Sequence, residues 1–144
     1  MYRFELDRVD TSSVLQDAFK GMNDGHDFLN VQGGLNLVSS SVTPFRLEVD
    51  SLQANDTSGA LANWNPNLNY TWRLATSTLN LNGFAPDAIS LDTSDFSSFN
   101  ATPGTFSVSA DANNLYLHYV GVPEPASWAL LLGGLVILRK KRIF

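Results

Sequence analysis

Alternation with period two constrains this chain more than any other feature. Phe45-Arg46-Leu47-Glu48-Val49-Asp50 places apolar and charged side chains in strict succession. Neighbouring side chains of an extended strand point to opposite faces, so the pattern dictates a strand with one buried face and one wet face. Tyr2-Arg3-Phe4-Glu5-Leu6, Tyr70-Thr71-Trp72-Arg73-Leu74, Phe106-Ser107-Val108-Ser109-Ala110 and Leu115-Tyr116-Leu117-His118-Tyr119 repeat it. Leu29-Asn30-Val31 and Leu35-Asn36-Leu37 flank Gly33-Gly34, which predicts a tight connection between two short strands. Asn113-Asn114 before Leu115 predicts a turn with positive φ. The expected fold is mainly β, an antiparallel sandwich or the end piece of a β-solenoid, with one short hydrophobic helix at the C-terminus.

Helix is scarce elsewhere. Val14, Leu15, Ala18 and Phe19 predict two helical turns after a Ser12 or Ser13 cap, and the stretch from Asp92 to Phe99 predicts a single turn. Gln53 to Asn69 reads as a long loop. Leu79-Asn80-Leu81 echoes Leu35-Asn36-Leu37, but no repeat emerges at a fixed period.

Composition narrows the chemistry. The 144 residues include no cysteine, which excludes a disulfide framework, thiolate catalysis and cysteine-bound zinc. Ser, Thr and Asn supply 37 residues, a bias suited to a β-protein with many turns. Residues 1–122 hold 13 acidic and 5 basic side chains, so electrostatic binding of nucleic acid is excluded. The last 22 residues reverse the balance, with Glu124 against Arg139, Lys140, Lys141 and Arg142.

That tail has its own grammar. Pro123-Glu124-Pro125 continues neither strand nor helix, so Glu124 is held in an extended, exposed segment. Ala126 to Leu138 then runs thirteen residues without a charge, through Trp128, Leu130, Leu131, Leu132, Leu135, Val136, Ile137 and Leu138. A helix apolar all round is buried in protein or in lipid. Thirteen residues span about 20 Å against roughly 30 Å of hydrocarbon, so length alone favours a core helix. The terminal position, the missing amphipathic stripe and the adjacent basic cluster favour the membrane. Trp128 suits the outer interface, and the four bases suit the cytoplasmic side.

Val122-Pro123-Glu124-Pro125-Ala126-Ser127-Trp128-Ala129-Leu130-Leu131, with the apolar run and basic end, resembles the PEP-CTERM sorting signal of Gram-negative bacteria. The resemblance covers residues 122–144. It implies processing near Pro123-Glu124-Pro125 by an exosortase, a membrane-embedded cysteine transpeptidase-like enzyme. Passage through the inner membrane and delivery to the cell surface or an exopolysaccharide matrix would follow. Within residues 1–121, Asn82-Gly83-Phe84, Ile89-Ser90-Leu91-Asp92, Gly104-Thr105-Phe106-Ser107-Val108 and Asn114 to Val120 resemble the last stretch of proteins with autotransporter-associated β-strand repeats. His26 to Leu37 resembles a rung of the same proteins, which are exported β-solenoids. The first twenty residues carry no signal-peptide pattern, so the expectation is a C-terminal fragment of a longer exported chain.

The remaining candidates have plain structural readings. Asn23-Asp24-Gly25-His26-Asp27 lacks the spacing and closing glutamate of a calcium loop and reads as a polar turn before a strand. His26 beside Asp24 or Asp27 suggests a dyad, but no Gly-x-Ser-x-Gly elbow accompanies it. His118 is expected to face solvent. Asp92 and Asp95 form a candidate carboxylate pair without an apolar pocket. Trp64, Tyr70, Trp72 and Tyr116 are either a sugar-stacking platform or core. The expected function is therefore a non-enzymatic surface or matrix protein without cofactor, metal site or catalytic residues. The alternatives are a carbohydrate-binding sandwich on the same tail, favoured by exposed aromatics, and an enzyme fragment, favoured by a carboxylate cleft.

Overall fold

A computed structural model describes residues 1–123, and these are mainly β. Nine strands form: β1 (Tyr2–Leu6), β2 (Leu29–Val31), β3 (Leu35–Asn36), β4 (Phe45–Ser51), β5 (Tyr70–Ser77), β6 (Leu81–Asn82), β7 (Ile89–Asp92), β8 (Thr105–Ala110) and β9 (Asn114–Val120). One short helix, α1 (Ser94–Phe99), sits between β7 and β8. The strands make three sheets, ordered β1-β4-β7, β2-β5-β9-β8 and β3-β6.

The pairing is mixed, which corrects the antiparallel sandwich. β1–β4, β4–β7, β2–β5 and β3–β6 are parallel, and only β5–β9 and β8–β9 are antiparallel. The parallel partners lie at a nearly constant distance along the chain. Tyr2 pairs with Leu47 and Phe45 with Ile89, offsets of 45 and 44 residues. Leu29 pairs with Ala75 and Leu35 with Leu81, both offsets of 46. Each pass of the chain therefore lies on the one before it. The sequence does not display this period, because the paired segments are only two to five residues long. The true partner of Leu35-Asn36 is Leu81-Asn82, not Leu79-Asn80. Asn82 Nδ2 donates to Asn36 Oδ1 at 3.1 Å, joining the two passes at this corner.

Gly33-Gly34 is a corner and not a hairpin, since β2 and β3 each pair with a later strand instead of with one another. Gly33 takes a φ of +126°, open to glycine alone, and its carbonyl accepts a hydrogen bond from Ser77 Oγ. The predicted helix around Val14 shrinks to one 3₁₀ turn, Asp17–Phe19, because Leu15 is drawn into a bridge with Thr71. The helical turn near Asp92 does form, as α1. The β8–β9 turn needs no positive φ at Asn113 or Asn114. Instead, Asp111 Oδ1 accepts both their backbone N–H groups, at 2.8 and 2.7 Å.

The core lies between the two larger sheets. Phe4, Leu6, Leu47 and Val49 face Tyr70, Trp72, Leu74, Leu115, Leu117 and Tyr119, and α1 contributes Phe96. A bulge between Arg73 and Ala75 shifts the register of β5, so Leu74 and Ala75 are both buried. Trp64 stacks on Tyr70 with ring centroids 5.0 Å apart and meets Phe96 edge-on at 5.1 Å. The long Gln53–Asn69 loop is pinned where Leu61 N donates to Asn100 Oδ1 at 2.9 Å.

Candidate functional site

The tail leaves the body where β9 ends. Gly121 N donates to Asn69 Oδ1 at 2.9 Å, and Tyr119 Oη donates to the Pro66 carbonyl at 3.0 Å. These bonds fix the last turn of the body, and Val122 and Pro123 emerge exposed. Of the expected sorting motif, Pro123 is thus placed at the surface. Glu124, Pro125, the apolar run from Trp128 to Leu138, the bases Arg139 to Arg142 and the expected C-terminal helix lie outside the described residues. Beside the exit is an open groove of about 510 Å³, walled by Ser12, Ser13, Val14, Leu68, Val120 and Pro123 among others. Among the described residues no charged side chain lines it. No helix among the described residues is long and apolar enough to cross a membrane.

A second feature escaped the sequence in part. Glu5 and Asp7 of the first strand and its extension meet Asp27 and Asp56 around a cavity of about 290 Å³, with His26 on its wall. Burial pushes the Asp7 carboxyl up to about 6, reinforced by Asp56, Asp24, Glu5 and Asp27. Burial and Asp27 raise Glu5 as well. The His26 imidazole is 3% exposed and neither ring nitrogen has a hydrogen-bond partner. Burial lowers its pKa to about 4, so it is neutral near pH 7. Neither Asp24 nor Asp27 bonds to it, so the suggested dyad is absent. Asp27 Oδ2 instead accepts the Glu5 backbone N–H at 3.1 Å. Among the described residues no three His, Asp or Glu side chains converge as metal ligands. Among the described residues, neither a serine nor a threonine lines the cavity. The sequence marked part of it, since Asn23, His26 and Asp27 belong to the polar Asn23–Asp27 stretch, but not its meeting with Glu5, Asp7 and Asp56. The acids from the two loops could not be brought to Glu5 and Asp7 without the fold.

The other candidates separate. His118 does not face open solvent: it is half-buried, with Thr71 Oγ1 2.9 Å from Nδ1 and Ser109 Oγ 2.6 Å from Nε2. Burial lowers its pKa. Asp92 accepts from Ser94 and, at 2.8 Å, from Arg46 Nη2, which together hold it below the usual carboxylate range. Asp95 lies 3.9 Å from Arg3. The two acids thus lie against different arginines, and each arginine is shared, Arg3 with Asp50 and Arg46 with Glu48. Tyr70 and Trp72 are fully buried and Trp64 packs against them, so these rings build the core. Tyr116 stands apart on the outer face, donating to Asp111 Oδ2 at 2.9 Å beneath the Arg73 guanidinium.

Compared with known proteins, the chain matches no family model, no curated protein and no solved structure.

Proposed function

We propose that this chain is the end piece of an exported β-solenoid, carried to the cell surface or matrix by a PEP-CTERM-type tail and without enzymatic activity of its own. The observation that carries the reading is the order in residues 122–144: Pro-Glu-Pro, tryptophan, apolar run, basic cluster. The fold supports it in two ways. Parallel passes offset by 44–46 residues are what stacked turns of a solenoid would give. The antiparallel β8–β9 hairpin then ends the stack, and the chain emerges at Pro123 immediately after it.

In this reading Glu124 is the recognition residue for an exosortase. The flanking prolines deny it a helix or ladder hydrogen bond, and it is the sole negative charge of the last 22 residues. Arg139 to Arg142 hold the C-terminus inside, leaving Pro123-Glu124-Pro125 on the outer face. Glu124→Ala in a signal-bearing full-length version, in a host with an exosortase, is expected to block processing and surface delivery. Processing at the parental rate refutes the assignment.

The carboxylate cavity favours a second reading, an enzyme fragment using Asp7 as the proton donor. A carboxyl titrating near 6 suits that role, but among the described residues no nucleophilic hydroxyl lines the cavity. The expected result is no turnover on a panel of glycans and peptides. Turnover that vanishes on Asp7→Asn would replace the structural reading.

A further inference from the structure

Four exposed apolar or aliphatic-edged positions gather where the tail leaves the body: Val14, Leu68, Val120 and Val122. Val14 is 57% exposed and Val120 52%, and what sets them apart from other exposed aliphatic side chains is that they share one groove. Three of the four wall the groove that also contains Pro123, and the rest of that wall is serine, threonine, asparagine, tyrosine and glycine. The body as a whole is acidic, yet among the described residues no charged side chain lines this groove.

We infer that the tail-exit end of the body rests against the lipid surface while the tail is held in the membrane. The inference rests on the sorting reading, because the tail brings this end to the bilayer. Continuity selects the occupant. Pro123 is both a wall of the groove and the residue that leads into the apolar run, so whatever solvates that run also meets the groove. Hydroxyl and amide side chains around small aliphatic ones suit the headgroup boundary, where shallow apolar contact and hydrogen bonding coexist. An acidic body repels anionic lipid, so the contact belongs to a zwitterionic surface. Functionally, it would set the distance of Pro123-Glu124-Pro125 from the membrane, holding the motif within reach of a membrane-embedded enzyme.

The absence of cysteine makes the test clean, since one introduced thiol can carry an environment-sensitive dye. The full chain is labelled at Val14→Cys, at Val120→Cys, or at Leu79→Cys just beyond the opposite end of β5, and each is checked for native circular dichroism. Each is then mixed with phosphatidylcholine vesicles. The expected result is flotation of all three, with a blue shift and several-fold brighter emission at positions 14 and 120 and none at 79. Flotation with no change at 14 and 120, or with an equal change at 79, overturns the inference and leaves the sorting reading standing. Failure of the chain to float overturns both, because the tail would then not enter lipid.

Discussion

At the residue scale, His26 and Asp7 oppose one another in pH. The folded pKa of His26, about 4, lies below the ordinary 6.5, so the unfolded chain binds its proton more readily. Stability from this group is full above about pH 6.5 and is lost as pH falls toward 4. The difference is about 3 kcal/mol at the most. Asp7 has the opposite sign. Its pKa is raised to about 6, so its contribution is full below the ordinary 3.8 and is lost as pH rises through 6. Urea midpoints for His26→Phe should therefore flatten between pH 7 and 4.5 relative to the parent. Asp7→Asn should raise the midpoint at pH 7.5 and give no gain at pH 4. A parental pH slope in His26→Phe would show that the ring is not buried neutral. Asp50 is a third case, fully buried, paired with Arg3 and accepting from Ser58 Oγ at 3.0 Å and Ser51 N at 2.8 Å. Asp50→Ala leaves these donors without an acceptor and should cost about 3 kcal/mol in a urea melt.

At the element scale, the β8–β9 hairpin depends on one side chain. Asp111 accepts from the backbone of Asn113 and Asn114, from Asn114 Nδ2 and from Tyr116 Oη. These bonds, with that of the Asn113 backbone foremost, hold its carboxyl down at about 2. The turn is thus intact above about pH 4 and weakens as pH falls toward 2. Asp111→Ala should cost about 1 kcal/mol and raise amide exchange first in β8 and β9. Unchanged protection in both strands would show that the ladder alone sets the hairpin. The alternation in Leu115 to Tyr119 predicts this element fully, with Leu117 and Tyr119 buried and His118 on the other face. It does not predict that Thr71 and Ser109 would enclose His118 from neighbouring strands. Those contacts are set by pairing across 47 and 9 residues of chain.

At the scale of the whole molecule, all the described strands and the buried cluster of Phe4, Leu47, Trp72 and Tyr119 fall within residues 1–123. A chain of residues 1–123 should therefore unfold cooperatively, giving a β-type far-UV spectrum and a single sigmoidal melt. A broad, non-cooperative transition would show that the parallel passes need a further pass on β1, β2 and β3 to be stable, as stacked repeats do.

The sequence by itself determined the strands and their faces. β1, β4, β5, β8 and β9 fall on the alternating segments, because burial of one face is a local property of successive side chains. It also determined the contrast between an acidic stretch and a basic, apolar C-terminal end. Only the tertiary structure decided which strands meet. Alternation is blind to direction, so the same segments suit parallel and antiparallel pairing, and the offset of 44–46 residues is carried by pieces too short to show as a repeat. The acidic cavity and the groove at Pro123 have the same origin. Each gathers residues from loops far apart in the chain, and no local pattern records that meeting.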